Sequence, residues 1–408
     1  MERNMPIKPE RSYEQQRLPD KRGYYGKFGG RFVNEILMPA LIDLEEGFDK
    51  YYPTAKFQEE LHSLLSDYGG RPTPLYYAKN FSKLVGRKVY LKREDLLCGG
   101  SHKLNNTLGQ ALLAKMMGKL RLITETSAGQ HGIATAMAGR VLGLEVEIFM
   151  GINDISRQAS NVKRIKLFGA TIAPVKAGGG VLKDAVSDTL REWTSCSSTT
   201  HYLMGSTVGP HPFPKMVATF QSVIGEETKN QILEKEGRLP DAVLACGSGG
   251  SNAIGAFGPF IEEDVRLYFI EGGGESLDAD NSAAVFQLGR PGILHGSLTQ
   301  VLQDKYGQIE PSRTRAAGLN YPGRGPQISH LYETGRMRAG YAFDDQVFEA
   351  TKVMCETEGL IPALETAHAI AYMLNHKEEF AQDRVIVLVY SGRGDKDLDT
   401  IMRRFYED

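Results

Sequence analysis

Apolar residues recur along this chain with two different spacings, and the two spacings alternate. Short apolar runs typical of strands occupy residues 88–93, 120–124, 145–150, 171–175, 242–246, 266–270 and 384–389. Helical stretches lie between them, such as 132–142, in which Ile133, Met137 and Val141 fall on one side. This alternation predicts an α/β fold with a largely parallel sheet. The segment 280–326 is rich in glycine, proline and arginine with little periodicity, and we expect long loops there.

Lys103 lies between the strand predicted at 88–93 and a helix predicted at 104–117. A positive side chain in the first helical turn is unfavourable, because the helix dipole favours anions there. An apolar, partly desolvated setting would lower its pKa and make it a nucleophile able to form a Schiff base. The ordinary alternative is an exposed surface lysine. The neighbouring motifs have to distinguish a reactive lysine from an exposed one.

Two glycine-rich loops follow predicted strands and precede predicted helices. The loop 248–252 can converge backbone N–H groups on an anion, and it has neither the dinucleotide nor the Walker spacing, so it predicts a single phosphate. The loop 125–132 exposes backbone donors suited to a carboxylate, and Glu125 could act as a general acid and base if burial raises its pKa. The alternative for the loop 248–252 is a plain glycine-rich turn, and the alternative for Glu125 is a loop carboxylate that caps a helix. Together with Lys103, they indicate pyridoxal phosphate chemistry on an amino acid.

Ser391 lies two residues after the end of the strand predicted at 384–389, so its hydroxyl is at the tip of that strand. A serine facing a pyridine nitrogen forms a neutral hydrogen bond, whereas an aspartate would make the ring a stronger electron sink. The serine therefore favours elimination and replacement at Cβ over transamination. Taken alone, it would be an ordinary turn residue.

Composition limits the remaining function classes. A chain of 408 residues exceeds what one core usually supports, so we expect two domains. The formal charge of −2 gives no indication of a nucleic-acid or membrane-surface partner, and no apolar run is long enough to span a bilayer. The first twenty residues are polar, and the four cysteines have neither metal spacing nor a disulfide pattern: Cys98, Cys196, Cys246 and Cys355. We therefore expect a cytoplasmic protein.

Long ordered motifs make the chain resemble the tryptophan synthase β subunit family, within fold-type II of the pyridoxal phosphate enzymes. The motifs that carry the resemblance lie at 25–31, 70–75, 91–96, 102–106, 129–132, 209–212, 250–255, 361–365 and 391–397. The resemblance implies an α/β fold of two three-layer αβα domains with mostly parallel sheets and the cofactor between them. It places residues 1–68 and 102–220 in an N-terminal domain with a mobile closing subdomain at about 118–205. Residues 69–101 and 221–408 would form the C-terminal domain that binds the cofactor phosphate.

The resemblance also implies an activity and site residues. L-Serine would lose water to give an aminoacrylate, to which indole adds to form L-tryptophan. Lys103 would link to the cofactor and move protons, and Glu125 would assist loss of the hydroxyl and attack by indole. Cofactor contacts would come from His102, Lys103, Ser248, Gly249, Gly250, Ser251, Asn252, Glu365 and Ser391. The substrate carboxylate would meet Thr126, Ser127, Ala128, Gly129, Gln130 and His131, and a monovalent cation (Na+ or K+) would bind the backbone of Ser248, Tyr321 and Gly323.

Several residues depart from the family pattern, namely Cys98, Ser127, Ser248, Leu294, His295, Asn320, Gly323 and Arg324. Asn320 replaces an aspartate that pairs with the arginine matching Arg157 on closure, so closure should be weaker by about 1 kcal/mol. Arg324 adds a cation that could compensate or recruit an anionic substrate. We favour a packed loop histidine for His295.

Three hypotheses follow from these residues. The first is tryptophan synthase β chemistry. The second is a paralogous β-replacement enzyme with an anionic acceptor or with O-phosphoserine, and the third is a non-enzymatic subunit that binds an α-type partner. Lys183 matches a lysine that contacts the α subunit, and the resemblance suggests a homodimer within an α2β2 assembly.

Overall fold

The computed structural model describes residues 18–278 and 280–406. Its strands, in chain order, are β1 (Tyr24–Tyr25), β2 (Phe28–Gly29), β3 (Leu75–Tyr77), β4 (Lys88–Arg93), β5 (Arg121–Thr126), β6 (Glu145–Gly151), β7 (Thr171–Val175), β8 (Thr200–Tyr202), β9 (Ala242–Cys246), β10 (Arg266–Gly274), β11 (Arg290–Leu294), β12 (Ser297–Val301), β13 (Met337–Phe343) and β14 (Val385–Tyr390). The strands predicted from the sequence are confirmed to within a few residues at their ends.

The α-helices are α1 (Met38–Tyr51), α2 (Ala55–Ser63), α3 (Lys79–Val85), α4 (Lys103–Met116), α5 (Gln130–Leu142), α6 (Ile152–Arg157), α7 (Ala159–Leu167), α8 (Leu182–Cys196), α9 (Phe213–Gln221), α10 (Val223–Glu236), α11 (Ser251–Phe257), α12 (Val285–Leu288), α13 (Pro326–Glu333), α14 (Asp344–Glu358), α15 (Leu364–Asn375) and α16 (Leu398–Tyr406). Short 3-10 turns occur at Glu35–Leu37, Glu94–Leu96, Gly258–Phe260, Ala317–Leu319, Lys377–Phe380 and Gly394–Asp397, and Leu64–Tyr68 is π-helical. Among the described residues, the structure contains no helix whose length and apolarity would let it cross a bilayer.

The larger sheet has the strand order β13-β10-β9-β14-β4-β3, and only the edge pair β3–β4 is antiparallel. Strand β14 is apolar at every position because both faces of the sheet are covered. Ile386 and Leu388 pack into the core beneath α14 and α15. Val387 and Val389 pack into the core beneath α10 and α11 on the opposite face. These two cores make the three-layer αβα arrangement.

The second parallel sheet has the order β7-β6-β5-β8, and all its strands come from residues 121–202. Its core contains Leu122, Ile133 and Trp193, contributed by β5, α5 and α8. These strands all lie within residues 118–205, the predicted mobile subdomain. Strand β4 belongs to the larger sheet, as expected if residues 69–101 are part of the C-terminal domain. The domain boundaries and the movement stay predictions.

The prediction of long loops throughout 280–326 is wrong in part. Strands β11 and β12 form a hairpin, and β12 pairs with β2, so that a small antiparallel sheet forms in the order β1-β2-β12-β11. The hairpin is hidden in the sequence because its strands are short and one contains Pro291 and Gly292. Its stability comes from pairing with β2, which is distant in sequence.

A buried ionic network fixes the start of α4. The Arg71 guanidinium donates to Glu94 at 2.9 Å, to Glu227 at 2.9 Å and to the Asn105 side chain at 2.8 Å. Lys92, fully buried, donates to Glu227 at 2.6 Å. Two cations and two carboxylates therefore balance each other around Asn105, which lies two residues after Lys103. Burial of Glu94 favours its neutral form, but Arg71 and Lys92 hold its pKa at about 2.

We predict that Glu94→Gln destabilises the protein by about 3 kcal/mol, because it leaves an excess buried positive charge. The Glu94 pKa is depressed from 4.5 in the folded chain, so its charge stabilises the fold fully above about pH 4.5. The difference from wild type should therefore narrow as the pH falls from 4.5 towards 2. Urea denaturation at several pH values measures this. Exposed Glu59→Gln is the control, and a Glu94→Gln loss no larger than that of Glu59→Gln would contradict the network's role.

Candidate active site

One cavity collects the residues that the sequence singled out. It lies where the carboxyl ends of β5, β9 and β14 face the first turn of α4, as ligand sites in open α/β sheets do. Its walls include Lys103, Glu125, the loop 247–252, Glu365 and Ser391, together with Gly318, Leu319 and Tyr321. Strands distant in sequence therefore bring the three predicted loops into one pocket.

Lys103 is the first residue of α4, and its Nζ donates to the Gly205 carbonyl at 2.9 Å. Desolvation lowers the pKa of Lys103 to about 8, although Glu125 and Glu365 attract the charged form. The direction of this shift is the one expected from the sequence. With a pKa of about 8, roughly one tenth of the amine is neutral at pH 7, far more than for an exposed lysine.

Glu125 lies near the end of β5 and is only 5% exposed. Burial raises the pKa of Glu125 to about 7, against the opposing influence of the Tyr202 hydroxyl, backbone N–H groups and Lys103. Its Oε2 accepts no hydrogen bond from the described residues. A carboxyl group with this pKa can both give and take a proton near neutral pH.

The loop after β9 forms a narrow cradle. The Ser248 hydroxyl is buried without a hydrogen-bond partner among the described residues. A Cβ at Gly249 would lie 2.4 Å from Ser206 Oγ, so only glycine permits this approach. Gly250 has φ +101°, which favours glycine as well. Ser251 and Asn252 begin α11 and also line the cavity.

His102 is positioned by two loops. Its Nδ1 lies 3.1 Å from the Ser391 carbonyl, and its Nε2 lies 3.3 Å from Ser251 Oγ. Desolvation lowers the pKa of His102 to about 3, and Lys103 reinforces the effect, so the ring is neutral. A carbonyl only accepts, which puts the proton on Nδ1 and makes Nε2 the acceptor for the Ser251 hydroxyl.

Ser391 and Glu365 lie on the opposite wall. The Ser391 hydroxyl is 2.9 Å from Thr366 Oγ1 and 3.5 Å from Cys246 Sγ. Glu365 accepts from the Gly318 backbone at 2.8 Å and lies 2.8 Å from Lys396 Nζ. Burial favours neutral Glu365, but the Lys396 ammonium holds its pKa below the usual value.

The loop from Thr126 to His131 connects β5 to α5 and borders the cavity. Gly129 has φ +85°, and its Cβ position lies 2.5 Å from Asn161 Cβ, so only glycine fits. Asn161 Nδ2 donates to the Ala128 carbonyl at 2.6 Å and fixes the loop. The His131 Nε2 lies 2.7 Å from Thr124 Oγ1, which fixes the ring at the end of the loop.

The predicted pair between Asn320 and Arg157 is not formed, although the structure describes both residues. Asn320 Nδ2 donates to the Thr314 carbonyl at 2.9 Å, and Arg157 is exposed at the end of α6. Neither lines the cavity among the described residues. The closing role of this pair stays a prediction.

Two predictions about charge near the site are wrong. Arg324 was expected to compensate for Asn320 or to recruit an anionic substrate, but its side chain is 0% exposed and ion-paired with Glu271 at 2.6 Å. The backbone oxygens of Tyr321 and Gly323, expected to bind a monovalent cation with Ser248, accept instead from Arg324 Nη1 at 3.3 and 2.9 Å. These residues therefore do not fit a bound Na+ or K+.

His295 is confirmed as a packed loop histidine. Its Nδ1 lies 2.8 Å from the Tyr321 hydroxyl and its Nε2 lies 3.1 Å from the Lys183 carbonyl. Burial lowers the pKa of His295 to about 4, so this ring is neutral. It adopts φ +47°, a conformation uncommon outside glycine.

Sequence reasoning missed three groups beside the cavity. Lys396 pairs with Glu365 and lies 2.7 Å from Asp397, and Thr366 contacts Ser391. The Tyr202 hydroxyl is buried next to Glu125 with no partner among the described residues. Lys396 stands inside the motif at 391–397, which could have marked it. Tyr202 has no such signal because it reaches the site through sheet pairing alone.

The cavity fits pyridoxal phosphate. The unpartnered Ser248 hydroxyl and the glycine cradle suit a phosphate, and Lys103 offers a largely desolvated amine to an aldehyde. Ser391 presents a neutral hydroxyl on the far wall, where a pyridine nitrogen would require a hydrogen-bond partner.

Comparisons with known proteins agree with this fit. The family model described as pyridoxal-phosphate dependent enzyme matches residues 67–392. The chain is 52% identical over 386 residues to the tryptophan synthase beta chain 1 of Methanosarcina acetivorans, and the match covers 93% of this chain and 96% of that protein.

Solved structures of lower identity share the fold. A threonine deaminase from T.th. has a TM-score of 0.62 at 20% identity and covers 84% of this chain and 98% of its own. A pyridoxal 5'-phosphate-dependent aspartate racemase has a TM-score of 0.63 at 17% identity, with 88% and 97% covered. The serine racemase of Dictyostelium discoideum has a TM-score of 0.61 at 18% identity, with 83% and 98% covered. The chain therefore belongs to the pyridoxal-phosphate dependent enzymes and, within them, to the tryptophan synthase β chain family.

Proposed function

We propose that this protein joins L-serine and indole to give L-tryptophan and water, with pyridoxal phosphate as cofactor. The observation that carries the proposal is the shared cavity of Lys103 and Glu125, whose pKa values are displaced by burial to about 8 and about 7. The 52% identity to a tryptophan synthase beta chain supports the choice of substrates. Bound pyridoxal phosphate supplies an electron sink that makes the serine Cα–H acidic and lets the Cβ hydroxyl leave.

Lys103 is proposed as the residue that binds the cofactor aldehyde and then carries the Cα proton. Its amine has to be neutral for both tasks, and desolvation makes the neutral form accessible near neutral pH by lowering the pKa of Lys103 to about 8. The hydrogen bond to the Gly205 carbonyl orients Nζ toward the cavity. The network around Arg71 and Asn105 fixes the helix that carries it.

Glu125 is proposed as the proton donor to the departing serine hydroxyl and as the acceptor for the proton that indole loses. At pH 7 its acid and carboxylate forms have similar populations, so one residue can perform both transfers. Its burial also keeps bulk water away from the electrophilic carbon that indole attacks. Protons balance, because Glu125 gives the proton with which the hydroxyl leaves as water and is protonated again by the proton that indole loses.

The remaining contacts are proposed for binding. The Ser248 hydroxyl and the backbone of Gly249 to Asn252 would bind the phosphate, with neutral His102 orienting Ser251. Ser391 would meet the pyridine nitrogen, and Glu365, held by Lys396, would border the ring. The loop Thr126–His131 would bind the substrate carboxylate through its backbone. The closed enzyme would bring Asn320 toward Arg157.

The other hypotheses lose their main support. The hypothesis of an anionic acceptor or O-phosphoserine depends on Asn320, Arg324 and the altered loops. Of these, Arg324 is buried against Glu271 and has no free donor to offer an anion. A non-enzymatic subunit would not need a lysine and a carboxyl group with pKa values near neutrality in one cavity. We therefore favour serine and indole.

The assembly and setting are also proposals. We infer a cytoplasmic homodimer that binds an α-type subunit, with closure of the segment 118–205 against the C-terminal domain at 69–101 and 221–408. Lys183 is 38% exposed and lies in the first turn of α8. Its side chain is accessible to a partner, while its carbonyl is linked through His295 to the Tyr321 hydroxyl at the cavity.

We predict that the cofactor-loaded protein forms tryptophan from serine and indole, and that Lys103→Ala forms none above background. Mass spectrometry identifies the product, and other nucleophiles and O-phosphoserine serve as competitors. Borohydride reduction followed by peptide mapping should locate the cofactor on Lys103. Cofactor attached elsewhere, or a competitor that outperforms indole per concentration, would contradict the assignment.

We predict that the rate at which cofactor-free protein captures pyridoxal phosphate rises with pH, with a midpoint near pH 8. The neutral amine reacts, and burial lowers the pKa of Lys103 from 10.5 to about 8. An exposed lysine would instead give a midpoint near 10.4. Stopped-flow absorbance between pH 6.5 and 9.5 measures the profile, with free N-acetyl-lysine as the control. A rate that still climbs steeply as the pH approaches 9.5 would show that the amine is solvated.

We predict that Glu125→Gln lowers the rate of tryptophan formation by about 10²–10⁴-fold and leaves cofactor binding intact. Glutamine keeps the shape of the side chain but cannot donate or take a proton. Cofactor absorbance and product formation are measured on the same samples. Exposed Glu145→Gln, at the start of the next strand, is the matched control. A Glu125→Gln rate within tenfold of that control would remove Glu125 from the chemistry.

A further inference from the structure

Arg324 is completely buried between the cavity and the larger sheet, and every N–H of its guanidinium has an acceptor. Nε donates to Glu271 Oε1 at 2.7 Å, and Nη2 lies 2.6 Å from the same oxygen and 2.5 Å from the Ala283 carbonyl. Nη1 donates to the carbonyls of Tyr321 and Gly323. Three backbone carbonyls and one carboxylate therefore surround one side-chain cation.

Glu271 is equally well bonded. It lies on β10, is 0% exposed, and accepts from the Phe286 backbone N–H at 3.1 Å. Burial raises the pKa of Glu271 and lowers the pKa of Arg324, and the ion pair opposes both shifts. The pair is locally neutral, and a second cation beside it would meet a positive guanidinium with no further carboxylate among these contacts.

The carbonyls involved belong to the segment that shapes the cavity. Tyr321 lines the cavity wall, and the next residue after Arg324, Gly325, donates its N–H to the Gly249 carbonyl at 2.9 Å. Gly249 is part of the cradle proposed for phosphate. On the other side, the Arg324 carbonyl accepts from Thr299 at 2.6 Å and its N–H donates to Gln300 at 3.0 Å. The guanidinium thus fixes the segment that connects the hairpin to the cradle.

Backbone carbonyl oxygens and a carboxylate around one positive charge are the donor types of a monovalent cation site. We propose that the Arg324 guanidinium is a built-in replacement for such a cation, and that the protein therefore needs no Na+ or K+. Arg324 is a positioning residue, since it acts on the cavity through the carbonyls of Tyr321 and Gly323. The inference rests on this geometry and is independent of which reaction the enzyme performs.

The first test uses the wild-type protein. Cofactor-loaded protein is dialysed into tetramethylammonium chloride, analysed for residual sodium and potassium, and titrated with KCl or CsCl at constant ionic strength. We expect less than one tenth of an equivalent of either metal, the same thermal midpoint in all salts, and less than a twofold change in rate. A saturable, several-fold activation by K+ or a stoichiometric retained ion would overturn the proposal. The midpoint needs no turnover, so absence of tryptophan with an unchanged midpoint would count against the proposed function alone.

The second test removes the guanidinium. Arg324→Ala should lose at least tenfold in rate in tetramethylammonium chloride and should regain several-fold with millimolar K+, Cs+ or guanidinium, together with a rise in thermal midpoint. Arg266→Ala is the control, because Arg266 lies on the same strand as Glu271 and also forms an ion pair, with Asp383. Unlike Arg324, it is partly exposed and does not line the cavity. It should respond equally to K+ and tetramethylammonium. A folded Arg324→Ala variant that is fully active without these ions would overturn the proposal, and so would a variant whose rate none of the ions restores. If the variant is insoluble, the wild-type titration decides.

Discussion

The site depends on the desolvation of an amine and a carboxyl group in one cavity. In water both groups would be fully ionised at neutral pH. Burial disfavours both charges, which lowers the pKa of the lysine and raises that of the acid. For Glu125, a rise from 4.5 to about 7 corresponds to roughly 3 kcal/mol of preference for the neutral form. Favourable interactions elsewhere in the fold have to offset this free-energy cost of burying the carboxyl group.

Fully satisfied ionic networks around the cavity offset this cost. One network fixes strand β4 and helix α4, which begins with Lys103; it consists of Arg71, Lys92, Glu94 and Glu227. The Lys396 ammonium keeps Glu365 ionised at the cavity wall. The ion pair of Arg324 with Glu271 fixes the segment that contains Tyr321 and Gly323. Each of these charges has a partner, whereas Glu125 Oε2 and the Ser248 hydroxyl have none among the described residues. These two unpartnered groups lie where a bound ligand would satisfy them.

Much of this arrangement could be predicted from the sequence because its signals are local. Apolar runs located the parallel strands, and the loops after β5, β9 and β14 were recognised from glycines and small residues next to those runs. Parallel strands with their carboxyl ends on one edge then require the loops to meet. The hairpin of β11 and β12 was missed because its strands are stabilised by a distant partner, β2, and not by an apolar pattern of their own.

Arg324 shows where such reasoning ends. From sequence, an arginine in a glycine-rich loop near an active site suggests a solvent-facing cation that recruits anions. Its environment is decided by Glu271, which lies 53 residues earlier on β10, and by the carbonyls of Ala283, Tyr321 and Gly323. A guanidinium presents five donors in a fixed plane, so it can satisfy a ring of carbonyls that a small ion would otherwise coordinate. A covalently attached cation also cannot dissociate, and the cavity wall that it fixes then no longer depends on the salt around the protein.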